Sequence, residues 1–215
     1  MTEVNGPRAY SSRLRESQAA STRRLVLDAA RELFVAQGYV ATTVDQIAER
    51  AGVSRPTVFR AGGGKPAMLR AIRDIALAGD DEPVPVAQRP RVAAVREEPD
   101  LKRAVELLAE HITLVGSRYA EIYDVVRVAA RSGEEGLRQL WETEEQERLT
   151  AARAWIQLLR DKNGSLRAGV DVSTAIDRLW LLMAADNFGR LVHTRGWSRS
   201  KFQRWVAEAI SALFA

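Results

Sequence analysis

The stretch AGVSRPTVFRAGGGKPAML, residues 51–69, carries side chains suited to chemistry on a polyanion. Arg55, Thr57 and Arg60 offer hydrogen-bond donors for phosphate oxygens or base edges. They follow Ser54, a residue type that caps helices, and flank Pro56, which a first helical turn tolerates. Gly62-Gly63-Gly64-Lys65 suggests a phosphate cradle of another kind. A nucleotide-binding loop of that kind needs a glycine four intervening residues before the Gly-Lys pair, Ser or Thr after the lysine, and a strand in front. Those places hold Phe59 and Pro66, and no strand pattern precedes them, so nucleotide binding is rejected. The glycines read as a loose turn, or as a place where backbone approaches a phosphate closely.

Helices must position these groups. From Thr22 the apolar pairs Leu25/Val26, Ala29/Ala30 and Leu33/Phe34 recur every four residues, and Gly38 ends that helix. Thr43 with Gln46 three residues on forms a capping box for a short helix to Ala51. Gly52 makes a turn, Ser54 caps the next helix, and Pro66 opens a fourth that ends at Gly79. In the resulting helix-turn-helix, Ala48 allows close crossing while Ile47, Ala51, Val53 and Val58 face inward. The second helix then presents its N-terminus and the donors of Arg55, Thr57 and Arg60 outward. The bland alternative is a helical hairpin with solvated arginines.

Charge agrees with a polyanion partner for this part alone. The chain of 215 residues has a net charge of +4, yet residues 1–79 hold 12 Lys/Arg against 7 Asp/Glu, and the remainder is nearly balanced. Arg8, Arg13, Arg15, Arg23 and Arg24 precede or open the first helix, where an arginine-bearing arm can follow a narrow minor groove. The absence of cysteine excludes disulfides, thiolate metal sites and thiol nucleophiles. No run is apolar enough to cross a bilayer, and a cytoplasmic location is expected.

Residues 22–69 closely resemble the DNA-binding domain of TetR-family transcriptional regulators. The resemblance rests on the first helix ending in Gly-Tyr, the Thr-Thr-Val cap, the Ile-Ala pair, Ala-Gly-Val-Ser, and the lysine opening the fourth helix. It implies an all-α fold of about nine helices, with a three-helix helix-turn-helix domain joined to a C-terminal ligand-binding and dimerisation domain. It also implies a homodimer on a near-palindromic double-stranded DNA operator, released by a small molecule. By the same resemblance, Thr43 and Lys65 contact phosphates, and Ser54, Arg55, Thr57 and Arg60 belong to the recognition helix. Phe59 stands where the family often has Tyr; lacking a hydroxyl, it is expected to pack on sugar or a thymine methyl. The three glycines depart from the family pattern, which has an aromatic near this point.

The expected organisation is a flexible arm over 1–21, a DNA-binding domain over 22–79, a proline-rich linker over 80–100 with at most one helical turn near Val92–Arg96, and the second domain over 101–215. Helices are expected over 101–117, 118–131, 135–161, 172–195 and 199–214, with breaks at Asn163-Gly164, Gly169 and Gly196. The stripes Ile176, Leu179, Trp180, Met183, Phe188, Leu191 and Phe202, Trp205, Val206, Ile210, Leu213 suit a two-fold four-helix bundle, or ordinary core. Candidate effector contacts are His111, Tyr119, Tyr123, Trp141, Trp155 and Asn187, with Val115 and Asp186 beside them. Aromatic walls with few polar groups suit a drug-sized ligand, although each such residue also suits an ordinary core. No spacing suggests a metal, and no cofactor is expected. The leading reading is a ligand-responsive dimeric repressor. The alternative is a helical ligand-binding or interaction protein with weak DNA binding, and a helical enzyme ranks last because no nucleophile–base set is present.

Overall fold

A computed structural model describes the backbone of residues 7–215, apart from Pro83 and Asn163, and side chains from residue 15 onward. The described residues form ten α-helices: α1 Pro7–Gln37, α2 Val44–Ala51, α3 Arg55–Gly62, α4 Lys65–Ala78, α5 Pro90–Glu97, α6 Leu101–Ala129, α7 Glu135–Asp161, α8 Val172–Leu182, α9 Ala185–Phe188 and α10 Arg199–Ser211. A single 3-10 turn, Val86–Gln88, precedes α5, and a π-helical segment, Gly189–Thr194, follows α9. The chain divides into two compact units between Ile72 and Arg73, inside α4.

In the first unit α1, α2, α3 and the start of α4 enclose a small core of Val26, Leu27, Ala30, Phe34, Ile47, Val58, Met68 and Leu69. Each large side chain buried this way contributes about 1.5–3 kcal/mol. The face of α1 is rotated slightly from expectation: Leu25 is 55% exposed and Leu27 is buried instead. The first helix also opens at Pro7 rather than Thr22. Residues 15–21, RESQAAS, contain no Gly or Pro to stop it, and they stay exposed. Residues 1–6 of the expected arm, and the side chains of Arg8 and Arg13, lie outside the described residues.

In the second unit α6 is the central element, packed by α5, α7, α9 and α10, while α8 packs on α7. Its core includes Leu108, Ile112, Ile156, Leu159, Leu179, Phe188, Phe202, Val206 and Ile210. Three expectations are corrected here. The segment 90–97, expected as linker, is a full helix: Pro90 occupies its first turn and Val92 and Val95 are buried at helical spacing. The helices expected over 101–117 and 118–131 are one, α6. Thr113 and Ser117 return their hydroxyls to the Ala109 and Leu114 carbonyls at 2.7 and 2.8 Å, so these polar groups do not interrupt it. The helix expected over 172–195 breaks after Leu182, where Asn187 Nδ2 donates to the Leu181 carbonyl at 2.6 Å. Asn163, an expected breaker, lies outside the described residues.

Candidate nucleic-acid interface and effector region

The helix-turn-helix is fixed by its caps. Thr43 Oγ1 accepts from the Gln46 backbone N–H at 3.2 Å, and Gln46 Oε1 accepts from the Thr43 N–H at 2.8 Å, the reciprocal capping box. Gln37, at the end of α1, donates to the same Gln46 oxygen at 3.0 Å. Gly52 sits in the left-handed region with φ 67°, ending α2 so that the chain turns into α3. Ser54 caps α3 by accepting from the Thr57 N–H at 3.4 Å, with Pro56 in the first turn. Ile47 and Val58 are fully buried between the helices, Ala48 is buried with them, and Ala51 and Val53 are half-buried.

This packing leaves Thr43, Ser54, Arg55, Phe59 and Arg60 exposed. Arg55 holds Asp45 at 2.7 Å and lies 5.7 Å from the Phe59 ring centroid. Both partners of that ion pair are more than half exposed, so it is worth well under about 1 kcal/mol, and a phosphate can compete for the guanidinium. Phe59 is 46% exposed, an apolar ring presented beside two arginines. Thr57 departs from its expected exposure: it is half-buried, with Oγ1 2.9 Å from Ser54 Oγ and 3.4 Å from Arg60 Nη2. It thus orients the cap and Arg60 as well as standing on the outward helix. Lys65 is half-buried, its Nζ 4.3 Å from the centroid of the buried Tyr39 ring. Sequence reasoning misses Tyr39 as the platform for Lys65, although Gly-Tyr at the end of α1 marks its place.

Two further expectations change. Arg23 is tied down: its Nη1 donates to the Ala61 carbonyl at 2.8 Å, closing the C-terminal end of α3. Arg24 lies 4.0 Å from Asp28 on its own helix. The glycine turn is not loose. Gly62 is buried in α3, and a Cβ there would lie 2.9 Å from Met68 Cγ and 3.0 Å from Val26 Cγ1. Gly63 has φ 75° and ψ −154°, a conformation essentially confined to glycine. The aromatic that the family pattern leads one to expect has no room at Gly62.

In the second unit the six candidate effector residues separate into groups. Tyr119, Tyr123 and Trp141 form one aromatic row, with centroid separations of 5.9 and 5.3 Å. His111 and Trp155 form a separate pair at 6.2 Å. Burial, with the charges of Arg118 and Arg91, pushes the His111 imidazole down to about 4. Asn187 faces backbone carbonyls of Leu181 and Leu182.

Sequence reasoning misses the charged groups among these aromatics. Tyr119 donates to the buried Glu144 carboxylate, and Arg73 lies 3.6 Å from that carboxylate while pairing with Asp74 and Glu147. Burial pushes both the Tyr119 phenol and the Glu144 carboxyl up. Burial alone would lower the Arg73 guanidinium, but its hydrogen bonds to Glu147 and Asp74 carry it above its ordinary value. The available signal is Glu144 on the same face of α7 as Leu137 and Leu140. Of the expected dimer stripes, Leu179, Phe188, Phe202, Val206, Ile210 and Leu213 are buried within this one chain, leaving Ile176, Trp180, Met183, Leu191 and Trp205 half-buried.

A helix-turn-helix with capped, outward-facing α3, followed by a larger all-α unit, defines the class. Residues 26–72 match the model of the bacterial regulatory proteins of the tetR family. The uncharacterized HTH-type transcriptional regulator TtgW of Pseudomonas putida is 46% identical over 56 residues, which are 26% of this chain and 42% of that protein. The chain spans less than half the length of the curated relatives it matches. The fold is similar to NalD, the secondary repressor of the MexAB-OprM multidrug efflux pump in Pseudomonas aeruginosa, with a TM-score of 0.66 at 19% identity, covering 92% of this chain and 98% of NalD. It is also similar to SmeT in its triclosan complex, with a TM-score of 0.62 at 19% identity, covering 91% and 92%. Among the described residues no helix is long and apolar enough to cross a membrane.

Proposed function

We propose that the chain is a sequence-specific, cytoplasmic DNA-binding regulator, a homodimeric repressor that a small molecule releases from its operator. The observation that carries this reading is the exposed cluster of Arg55, Phe59 and Arg60 on α3, held at a defined angle by the Thr43 and Ser54 caps. Thr43, Ser54 and Lys65 supply phosphate contacts; Arg55, Thr57 and Arg60 reach base edges; Phe59 covers a sugar or thymine methyl. Residues 22–79 serve as the DNA-binding domain and residues 101–215 as the effector and dimer domain, with 80–100 between them. The half-buried Ile176, Trp180 and Trp205 suit the two-fold contact. Repression and effector release are supported by NalD being a repressor and by the triclosan bound to SmeT, each a property of that protein.

A gel shift with the DNA upstream of its own gene, titrated with salt, tests the reading. Binding that exceeds random DNA by at least about 1000-fold, and weakens steeply with salt, is expected. Equal, weak binding to both DNAs would instead favour the helical interaction protein.

A further inference from the structure

From Asn187 to Ala207 the chain carries Arg190, Arg195, Arg199, Lys201 and Arg204 and no Asp or Glu, while the rest of residues 80–215 holds 15 Lys/Arg against 21 Asp/Glu. The second unit is thus acidic apart from this one stretch. All five cations are exposed. Arg190 is matched by Asp186 at 3.2 Å; among the described residues none of the other four reaches a carboxylate at ion-pairing distance. Arg199 and Lys201 also stand in the first turn of α10, the end of a helix that repels cations, so nothing within the stretch relieves their repulsion.

The stretch is held in one shape. The Arg195 N–H donates to the Arg190 carbonyl at 3.0 Å and the Trp197 N–H to the Leu191 carbonyl at 2.9 Å, turning the chain into α10. Arg199 Nη2 donates to Ser117 Oγ on α6 at 2.9 Å, and Lys201 Nζ lies 4.2 Å from the Trp197 ring centroid. Arg195, Arg199 and Lys201 are therefore gathered around one fixed turn. Charge and shape narrow the partner. Between residues 187 and 207 no large apolar side chain is exposed, so the stretch has nothing to insert into lipid. Guanidinium groups match phosphate oxygens two donors at a time, and exposed cations gain further by releasing the counterions of a nucleic-acid backbone.

We propose that the turn bearing Arg195, Arg199 and Lys201 is a second, sequence-independent contact for the phosphate backbone of duplex DNA, separate from α3. It gives the effector and dimer domain a hold on DNA of its own. The inference goes beyond the proposed function and needs neither an operator nor an effector.

The test is lysine acetylation of the full chain, read by mass spectrometry, with and without a random-sequence duplex at low salt. Lysine occurs only at 65, 102, 162 and 201, so each site is read separately. Lys201 should lose most of its reactivity when the duplex is added, and the exposed Lys102 should keep its own. The same shielding of Lys201 should persist in an Arg55→Ala/Arg60→Ala chain, whose α3 surface is disabled. In a second measurement, Arg195→Gln/Arg199→Gln/Lys201→Gln should lower the salt slope on random DNA by about 2–3, while Arg195→Lys/Arg199→Lys should keep it. Lys201 that reacts equally with and without DNA, shielding lost with the α3 changes, or an unchanged slope in the triple variant would each overturn the proposal. So would equal shielding by phosphatidylserine vesicles or by polyglutamate at matched charge. Acetylation needs no change in the stretch itself, so a folding defect in the triple variant leaves the test intact. Because the duplex is random, failure here is separate from failure of operator recognition in the gel shift.

Discussion

Gly62 lies so close to Met68 that a Cβ on it would stand 2.9 Å from Met68 Cγ and 3.0 Å from Met68 Sδ. The contact seats the end of α3 directly on the start of α4. The turn that carries three glycines is therefore a packed joint, and the absence of an aromatic there is a consequence of that packing.

Gly62→Phe should lower the melting temperature by about 5 °C, the effect expected of overpacking in a domain of this size, and weaken operator binding with it. Gly63→Ala should also destabilise, by about 1–3 kcal/mol, because φ 75° with ψ −154° strains any side chain. Thermal melts paired with gel shifts measure both. A Gly62→Phe variant that is stable and binds DNA more tightly would show that the joint yields freely.

Lys65 and Thr57 should separate in their effects on DNA. With Lys65 proposed as a phosphate contact, Lys65→Ala, which removes the charge held over Tyr39, should lower affinity alike on operator and random DNA, with the salt slope reduced by about 1. Thr57→Ala should alter sequence preference, since it loses its place on the outward helix and its hold on Arg60. Indistinguishable behaviour of the two variants on both DNAs would contradict this division.

His111 makes stability pH-dependent. Its folded imidazole is pushed down to about 4, against about 6.5 for an unperturbed imidazole. Above pH ~6.5 both states are neutral and the residue contributes nothing to the pH dependence. Between pH ~6.5 and ~4 the unfolded chain takes up a proton that the folded one refuses, so stability falls on acidification, by on the order of 2 kcal/mol. His111→Phe, which keeps a ring against Trp155, should flatten that part of the curve. Chemical denaturation at pH 7, 5.5 and 4.5 decides it.

Arg73 and Glu144 are both buried, at 7% and 4% exposure. Arg73→Met should cost about 3 kcal/mol by taking the Arg73 guanidinium from the buried Glu144, which keeps the Tyr119 hydrogen bond and the charge of Arg148. Adding Glu144→Leu should cost less than the sum of the single changes by at least about 1 kcal/mol, measured as a double-mutant cycle. Strict additivity would mean the two charges do not interact.

Much of the first unit is legible in the sequence because its signals are local. Caps at Thr43 and Ser54, the glycine at 52 and the apolar period of α1 each act over one or two helical turns. Gly62 reads as a loose turn because its meaning lies in Val26 and Met68, which only the folded packing brings to it. Arg23 reads as part of an arm, since the Ala61 carbonyl it closes is far away in sequence. In the second unit, flanking Gly and polar residues place α7 at its observed ends. By contrast the helices expected over 101–117 and 118–131 are one, α6, which runs unbroken through the buried Gly116 because its contacts lie with distant helices. The charged groups around Tyr119 and Tyr123 stay hidden because a charge on a long amphipathic helix reads as solvated unless its partner is known.

Footprinting of the upstream DNA tests the central claim most directly. Two copies of α3 in neighbouring major grooves should protect two half-sites with centres roughly 34–36 Å apart, or a multiple of that spacing. A single asymmetric half-site, or no protection at low salt, would contradict it.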